Sequence, residues 1–217
     1  HRDSYPETVE RVSFLLRDAV ERQMVSDVPV CAFLSGGVDS SVVTALASNF
    51  LGREGGALNT FSFDFAHNDQ YFHANSFQPT RDRPYVDQVL ALYPLHHTYL
   101  ECDEDTLVDL LPQAVFYKDL PGMADVDTSL MYFCGRVKEH NKVALTGECA
   151  DEIFGGYPWF YREDLFYAGG FPWSHDLAAR TALLSDQAVK ELELEDYVRA
   201  RYDEAIKAVP ALPGETG

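Results

Sequence analysis

Four apolar runs, separated by helical patterns, organise the first two thirds of the chain. The first run, residues 28–34, shows no alternation, which is typical of a strand buried on both faces of a parallel sheet. Similar runs predict strands over residues 60–65, 97–100 and 143–146. Because helices are predicted between them, the β-α-β-α order indicates an α/β fold with a doubly wound parallel sheet and helices on both faces.

The segments between the strands carry helix and loop signals. Ser4 and Glu7 form a predicted capping box for a first helix that ends near Met24. The segment that follows the second strand, residues 66–83, is polar and is predicted to be a long surface loop or lid.

Three further helices are expected between the second strand and the fourth. One begins at Pro84 and runs to residue 92, and the next has Asp103 as its N-cap. A third is predicted to be capped by Asp127 or Thr128 and to end near residue 140.

The last quarter of the chain differs from the rest. Residues 158–173 are rich in aromatic side chains, and residues 185–209 are charged and helical in pattern. We therefore expect a nucleotide-binding domain over residues 1–160 and a partial helical region over residues 161–217, cut off where the chain ends.

Composition narrows the classes of partner. The formal charge of -18 argues against nucleic acid and against anionic membranes, because both need clustered Lys and Arg. No apolar run has transmembrane length. Zinc-type spacing is absent among Cys31, Cys102, Cys134 and Cys149, so reduced thiols and a cytoplasmic location are expected.

The loop after the first strand is the strongest candidate site. Its glycine pair lies between a strand and a helix, where backbone N–H groups and the helix dipole favour a phosphate or pyrophosphate. The neighbouring hydroxyl groups add donors, and one carboxylate could hold a metal. The residues of this loop are Ser35, Gly36, Gly37, Asp39, Ser40 and Ser41.

A second unusual loop, residues 146–157, follows the fourth strand. Ligands of doubly wound sheets bind beyond the carboxyl ends of the strands where strand order reverses, so the two loops are expected face to face. Taken alone, Asp151 and Glu152 would be acids that complement a helix dipole, and Glu148 a solvated loop acid.

Together the two loops identify a family resemblance. Residues 35–41 resemble the SGGxDS pyrophosphate loop of the ATP pyrophosphatases, and residues 146–157 resemble the [ST]GEGxDExFGGY segment of asparagine synthetases. The resemblance implies a Rossmann-like fold of the adenine nucleotide alpha hydrolase type. It also implies an ATP-dependent amidoligase that activates an aspartate-like carboxylate as an acyl-adenylate, releases pyrophosphate and then admits ammonia.

The same resemblance assigns roles to individual residues. Asp39 and Asp151 would hold Mg²⁺, and Glu148 would lie near the α-phosphate and the attacking ammonia. The loop 35–41 would hold the β- and γ-phosphates. The backbone groups expected around the adenosine are those of Phe33, Phe63, Thr146 and Gly147.

The chain also departs from the family pattern. Cys149 stands where glycine is usual, and Asp64 stands where glycine is common after the second strand. The glutaminase half and the later helical segment with a catalytic lysine are absent from this chain, so weak nucleotide binding and little or no turnover are expected of it alone. A ring-closing relative of β-lactam or lasso-peptide type, a degenerate nucleotide-binding module and a homodimer all stay open.

Overall fold

The chain forms two compact units, His1–Cys149 and Ala150–Gly217, and each is described by itself. In the computed structural model of the protein, the described residues are 2–75, 78–120, 122–174 and 176–210. Part of the predicted lid, residues 76–77, and the end of the predicted C-terminal region, residues 211–217, lie outside them.

The first unit is built on a parallel sheet of four strands. The strands are β1 (Val30–Phe33), β2 (Leu58–Phe65), β3 (Leu95–Cys102) and β4 (Val143–Leu145), in the order β3-β2-β1-β4. The chain therefore builds outwards from β1 through β2 to β3 and then returns to the other side of β1. Strand order reverses between β1 and β4, which is where ligands of doubly wound sheets bind.

Six helices accompany this sheet. They are α1 (Tyr5–Gln23), α2 (Val38–Gly52), α3 (Asn68–Tyr71), α4 (Arg83–Leu92), α5 (Glu104–Lys118) and α6 (Ala124–Val137). The predicted capping box is present, because the Ser4 N–H donates to Glu7 Oε2 at 2.7 Å. None of the described helices is long and apolar enough to cross a bilayer.

Two apolar clusters cover the two faces of the sheet. On one face, Ala32 and Leu58 pack with Val20 of α1 and Ala47 of α2. The members of the opposite cluster come from β1, β2 and α6, and they are Cys31, Phe61, Phe133 and Val137. Successive β1 residues thus enter opposite clusters, as side chains of a strand must. The predicted α/β fold, with a parallel sheet buried on both faces, is confirmed.

Two predicted helix boundaries are wrong. Helix α6 begins at Ala124, one turn earlier than predicted, and its N-cap is Met123. Asp127 lies inside the first turn and pairs with Lys118 at 2.6 Å instead of capping the helix. The predicted helical stretch over residues 185–209 is interrupted at Glu193, whose φ of 43° cannot continue a right-handed helix.

The second unit consists of short helices around aromatic contacts. Its helices are α7 (Ala150–Phe154), α8 (Glu163–Phe166), α9 (Leu177–Thr181), α10 (Asp186–Leu192) and α11 (Leu194–Ala208), with 3₁₀ turns at Pro158–Phe160 and Pro172–Ser174. Trp159 stacks on Tyr157 at 4.4 Å between ring centres, and Phe171 stacks on Trp173 at 5.0 Å. The aromatic-rich segment therefore packs largely on itself.

Candidate functional site

The loop between β1 and α2 requires a glycine. Gly36 has a φ of 81°, and a Cβ there would lie 2.8 Å from the carbonyl oxygen of Asp82 and 3.0 Å from the Tyr85 Cβ. The loop thus passes close to the start of α4. A side chain at position 36 would push the two segments apart.

Hydroxyl groups fix the shape of this loop. The Ser35 N–H donates to Ser40 Oγ at 3.2 Å, and the two hydroxyl oxygens lie 3.0 Å apart. Ser40 is buried, and its hydroxyl donates to the Gly37 carbonyl, which also accepts from Ser41 Oγ at 2.7 Å. Ser40 therefore orders the loop from within, whereas Ser35 is exposed and Asp39 half-buried.

Helix α2 presents backbone donors at this loop. Its N-cap is Gly37, and within the described chain no side chain caps its first turn. The first N–H groups of a helix have no carbonyl partner inside it, and the helix dipole adds positive potential there. The loop and the helix start together present the backbone donors on which the predicted anion site depends.

The second predicted loop reaches the first through Gly147. A Cβ on Gly147 would lie 2.7 Å from the Ser40 nitrogen and 2.9 Å from the carbonyl carbon of Asp39. This approach follows from the sheet, because β4 pairs directly with β1 and both strands end at the same edge. The expectation that the two loops meet is confirmed.

The residues after Gly147 are exposed and carry one unusual backbone angle. Cys149 has a φ of 68°, the left-handed region that favours glycine. Glu148 lies near Cys134 of α6. Partial burial raises the pKa of the Cys134 thiol, and the negative charge of Glu148 raises it further. Thr146 is exposed at the end of β4.

Asp151, the other predicted acid of this loop, belongs to the second unit. It lies in the first turn of the short helix α7, and its carbonyl accepts from the Gly156 N–H at 3.0 Å. A Cβ on Gly156 would collide with the Asp151 carboxylate. The glycine therefore makes room for this acid.

A cavity of about 160 Å³ opens at the carboxyl ends of β1, β2 and β3. Three of the predicted residues line it: Phe33, Ser35 and Phe63. Phe133 of α6 completes an aromatic wall, with its ring centre 4.7 Å from that of Phe33 and 6.1 Å from that of Phe63. Such faces suit a flat aromatic ligand.

The opposite rim of the cavity is polar, and its residues were not predicted as site residues. They come from β2, β3, the helix α3 and the start of α4, and they are Asp64, Asn68, Asp82, Arg83 and Tyr99. Pro84 correctly located the start of α4, but only the sheet order shows that this helix start faces Gly36.

Charges on this rim are tied to one another. Arg83 pairs with Glu101 at 3.1 Å and lies over the Tyr99 ring, 4.1 Å from its centre. Burial and a hydrogen bond to Asp87 raise the pKa of Tyr99 to about 12, so its hydroxyl stays protonated. Partial burial, with the nearby charge of Asp64, raises the pKa of Asp82.

The oxygen groups near α2 suit Mg²⁺ only in part. Asp39 supplies one carboxylate, and Ser35 and Ser41 supply hydroxyl groups. No cluster of three or more His, Cys, Asp or Glu side chains that could hold a metal exists among the described residues. The donors therefore fit a metal that takes its remaining oxygen ligands from phosphate and water.

Comparison with known proteins assigns the family. The sequence model of the asparagine synthase family matches residues 11–217. The chain belongs to the asparagine synthase family. Both loops of the site fall inside the matched region, so the asparagine synthase resemblance that those loops predicted is confirmed.

Several curated proteins of the same kind resemble the chain. It is 50% identical over its full length to "Asparagine synthetase [glutamine-hydrolyzing] 3" of Bacillus subtilis, of which it spans 35%. It is 35% identical over 72% of its length to "Putative asparagine synthetase [glutamine-hydrolyzing]" of Mycobacterium tuberculosis, and 34% identical over 72% to "Asparagine synthetase [glutamine-hydrolyzing] 1" of Bacillus subtilis. It spans 22% of each of these two proteins.

Proposed function

We propose that this chain is the ATP-binding synthetase part of an amidoligase, with the nucleotide-binding domain over residues 1–160. The enzyme activates an aspartate-like carboxylate with ATP and transfers ammonia to it. The observation that supports this most is the contact of Gly147 with the start of α2, because it joins the two family loops at one sheet edge. Membership of the asparagine synthase family supports the reaction class.

The phosphates of ATP bind at the loop 35–41. The uncapped N–H groups of α2 and the exposed Ser35 hydroxyl are donors for the β- and γ-phosphates, and Ser41 can add a third when its hydroxyl turns from the Gly37 carbonyl to the ligand. Ser40 acts by holding the loop in shape through its bonds to Ser35 and Gly37. In a chain of formal charge -18, this concentration of donors is needed to hold a polyanion.

Asp39 and Asp151 are the carboxylates that would hold Mg²⁺. The assignment of Asp39 is supported by its place in the first turn of α2, and that of Asp151 by the family motif. When bound with the nucleotide, Mg²⁺ would neutralise negative charge on the departing pyrophosphate.

The reaction proceeds in two steps. An oxygen of the substrate carboxylate attacks the α-phosphorus, and the bond from that phosphorus to pyrophosphate breaks, leaving an acyl-adenylate. Ammonia then attacks the acyl carbon, AMP departs, and a proton leaves the new amide. Glu148, exposed beside Gly147, lies near the α-phosphate in this proposal and orients the attacking ammonia by accepting its N–H groups.

The adenosine occupies the region of the cavity. Phe33 and Phe63 line it with their side chains, and Phe133 adds a third ring. The backbone of Thr146 and Gly147, at the end of β4, is proposed to contact the ribose side of the nucleotide.

ATP–pyrophosphate exchange on the full-length protein that contains this chain tests the proposal. Exchange that depends on aspartate and Mg²⁺ is expected, with Asp39→Asn and Asp151→Asn each lowering it at least tenfold, while Asp69→Asn leaves it unchanged. Asp69 is the matched control because it is exposed on α3 and does not line the cavity.

Other outcomes separate the alternatives. Exchange with another carboxylic acid but not with aspartate would indicate that the protein is a ring-closing relative of the asparagine synthetases. Nucleotide binding without exchange for any acid tested would identify a degenerate module. Full exchange in both Asp39 and Asp151 variants would exclude the two-carboxylate metal assignment.

A further inference from the structure

The size and lining of the cavity restrict what enters it. Its volume of about 160 Å³ is well below the range of about 300 to 1,000 Å³ for pockets that enclose a whole drug-sized ligand. One ring system therefore fits, with the rest of the ligand outside. The Phe33, Phe63 and Phe133 rings provide apolar faces for that ring system, and Ser35 places its opening next to the phosphate loop.

One carboxylate on the polar rim is held in place through only one of its two oxygen atoms. Asp64 Oδ1 accepts from the Phe65 N–H at 2.9 Å and from Asn68 Nδ2 at 2.6 Å. For its second oxygen, Oδ2, no hydrogen-bond donor is found in residues 2–75, 78–120, 122–174 or 176–210. Asp64 also lines the cavity, so this fixed carboxylate is a ready acceptor at its edge.

The surroundings keep this edge negative. Asp82 lies close enough for the Asp64 charge to raise its pKa. The guanidinium of Arg83, the cation that lines the cavity, is already paired with Glu101 and stacked on Tyr99. A ligand group that donates hydrogen bonds is favoured here, and one that only accepts them is repelled.

We propose that Asp64 determines base specificity by accepting a hydrogen bond from the exocyclic 6-amino group of adenine. The inference rests on the proposed function, because it takes the ligand to be a nucleotide whose phosphates bind at residues 35–41. The family resemblance places glycine at the position of Asp64, and glycine has no side chain that could make this contact.

Position along the sheet favours the base over the ribose. The phosphate loop follows β1 at the edge shared with β4, whereas Asp64 lies near the carboxyl end of β2, on the other side of β1. The base is the part of ATP farthest from its phosphates. Its 6-amino group is a donor in adenine, whereas guanine carries an acceptor oxygen at the same place.

The test compares ATP with purine riboside 5′-triphosphate, which differs only by lacking the 6-amino group. Dissociation constants for both are measured by calorimetry on the full-length protein, for the native sequence, Asp64→Asn and Asp69→Asn. The Asp64→Asn side chain can keep Oδ1 as the acceptor for Phe65 and Asn68, so only the spare oxygen is replaced. Asp69→Asn removes one carboxylate from the short helix α3, which follows β2, without changing a residue that lines the cavity.

The native protein and Asp69→Asn are expected to bind ATP about tenfold or more tightly than purine riboside 5′-triphosphate, because a hydrogen bond to a charged acceptor contributes that much. Asp64→Asn should bind the two nucleotides about equally. Because the readout is a ratio, a partly unfolded variant does not alter it.

An unchanged ATP preference in Asp64→Asn overturns the inference. So does an equal loss of affinity for both nucleotides, which would place the contact at the ribose. ATP–pyrophosphate exchange that persists in either case leaves the proposed function standing. Native protein that binds neither nucleotide contradicts both.

Discussion

Cys149 has a backbone conformation that is unfavourable for a residue with a side chain. Its φ of 68° lies in the left-handed region, which costs a side chain-bearing residue about 1 to 2 kcal/mol. The family motif usually has glycine at this place. The structure gives the physical cause, which is the torsion angle of the backbone.

Replacing Cys149 by glycine should therefore stabilise the protein. Relief of the unfavourable torsion outweighs the extra unfolded-state freedom of glycine, and we expect a gain of about 0.5 to 1 kcal/mol in the free energy of unfolding. Urea titration followed by circular dichroism measures it. Cys149→Ala is the control, since alanine has the same torsional cost; an equal gain in both variants would assign the effect to the thiol.

The side chains on the polar rim of the cavity could not be predicted from the sequence. The sequence identifies Ser35 through its loop motif, and the family resemblance adds Phe33 and Phe63. Arg83 and Tyr99 carry no motif and meet only because α4 and β3 converge at the sheet edge. Such residues become visible only when the order of the strands is known.

Strands and helices were predictable wherever one local signal dominated. The four strands lie where apolar runs occur, though β2 and β3 extend beyond the predicted residues 60–65 and 97–100. The polar residues Asn59, His96 and Glu101 interrupt the apolar pattern at these strand ends, so the apolar signal stops short even though Leu58 and Cys102 are buried. At α6, the capping preference of Asp127 was overridden by an ion pair with Lys118, a contact between two helices that sequence spacing does not encode.

Pairing of β2 with β3 half-buries a histidine, His97. His97 lies opposite Thr60, whose hydroxyl is 2.9 Å from His97 Nδ1, while Nε2 is buried without a partner among the described residues. The pKa of His97 is lowered from 6.5 to about 4, mainly by burial, which outweighs the opposing charge of Asp87, with a smaller lowering by Arg83. Protonation would leave a buried cation with an unsatisfied N–H.

The stability of this strand pair should therefore fall in acid. Between about pH 6.5 and pH 4 the unfolded chain binds a proton that the folded chain does not, so the free energy of unfolding decreases as pH falls. Above this range the stabilisation is complete. Urea titrations of the native protein and His97→Gln at about pH 7.5 and about pH 5 measure it.

His97→Gln is expected to lose less stability on acidification than the native protein. His96→Gln is the matched control, since His96 is exposed on the opposite face of β3. Identical pH dependence in the native protein and His97→Gln would show that His97 is already charged when folded.

At the scale of the whole molecule, repulsion between like charges opposes compactness. Thirty-five acidic residues face seventeen basic ones, and the ion pairs described are largely exposed and worth little individually. The charge excess excludes polyanionic partners unless donors are concentrated, as they are at the start of α2. The excess of acidic residues could be predicted from composition alone, whereas the concentration of hydrogen-bond donors at the start of α2 could not.

Salt should accordingly stabilise the protein at neutral pH. Raising NaCl from about 10 mM to about 150 mM shortens the screening length from about 30 Å to about 8 Å and should raise the midpoint of thermal unfolding. Near the isoelectric point of about 4.6, where net charge vanishes, the same change should have little effect. An equal rise at both pH values would point to a cause other than charge.

The pairing of β1 with β4 also has a consequence for the order of events during folding. Cys31 and Val143 are in contact across this pair, yet 112 residues separate them in the chain. Contacts between distant segments form late, because a long loop must close first. The phosphate loop therefore meets Gly147 only after the intervening strands have assembled. A newly made chain is consequently expected to bring these two loops together as one of its last steps, so that binding of the proposed nucleotide would mark a completed sheet.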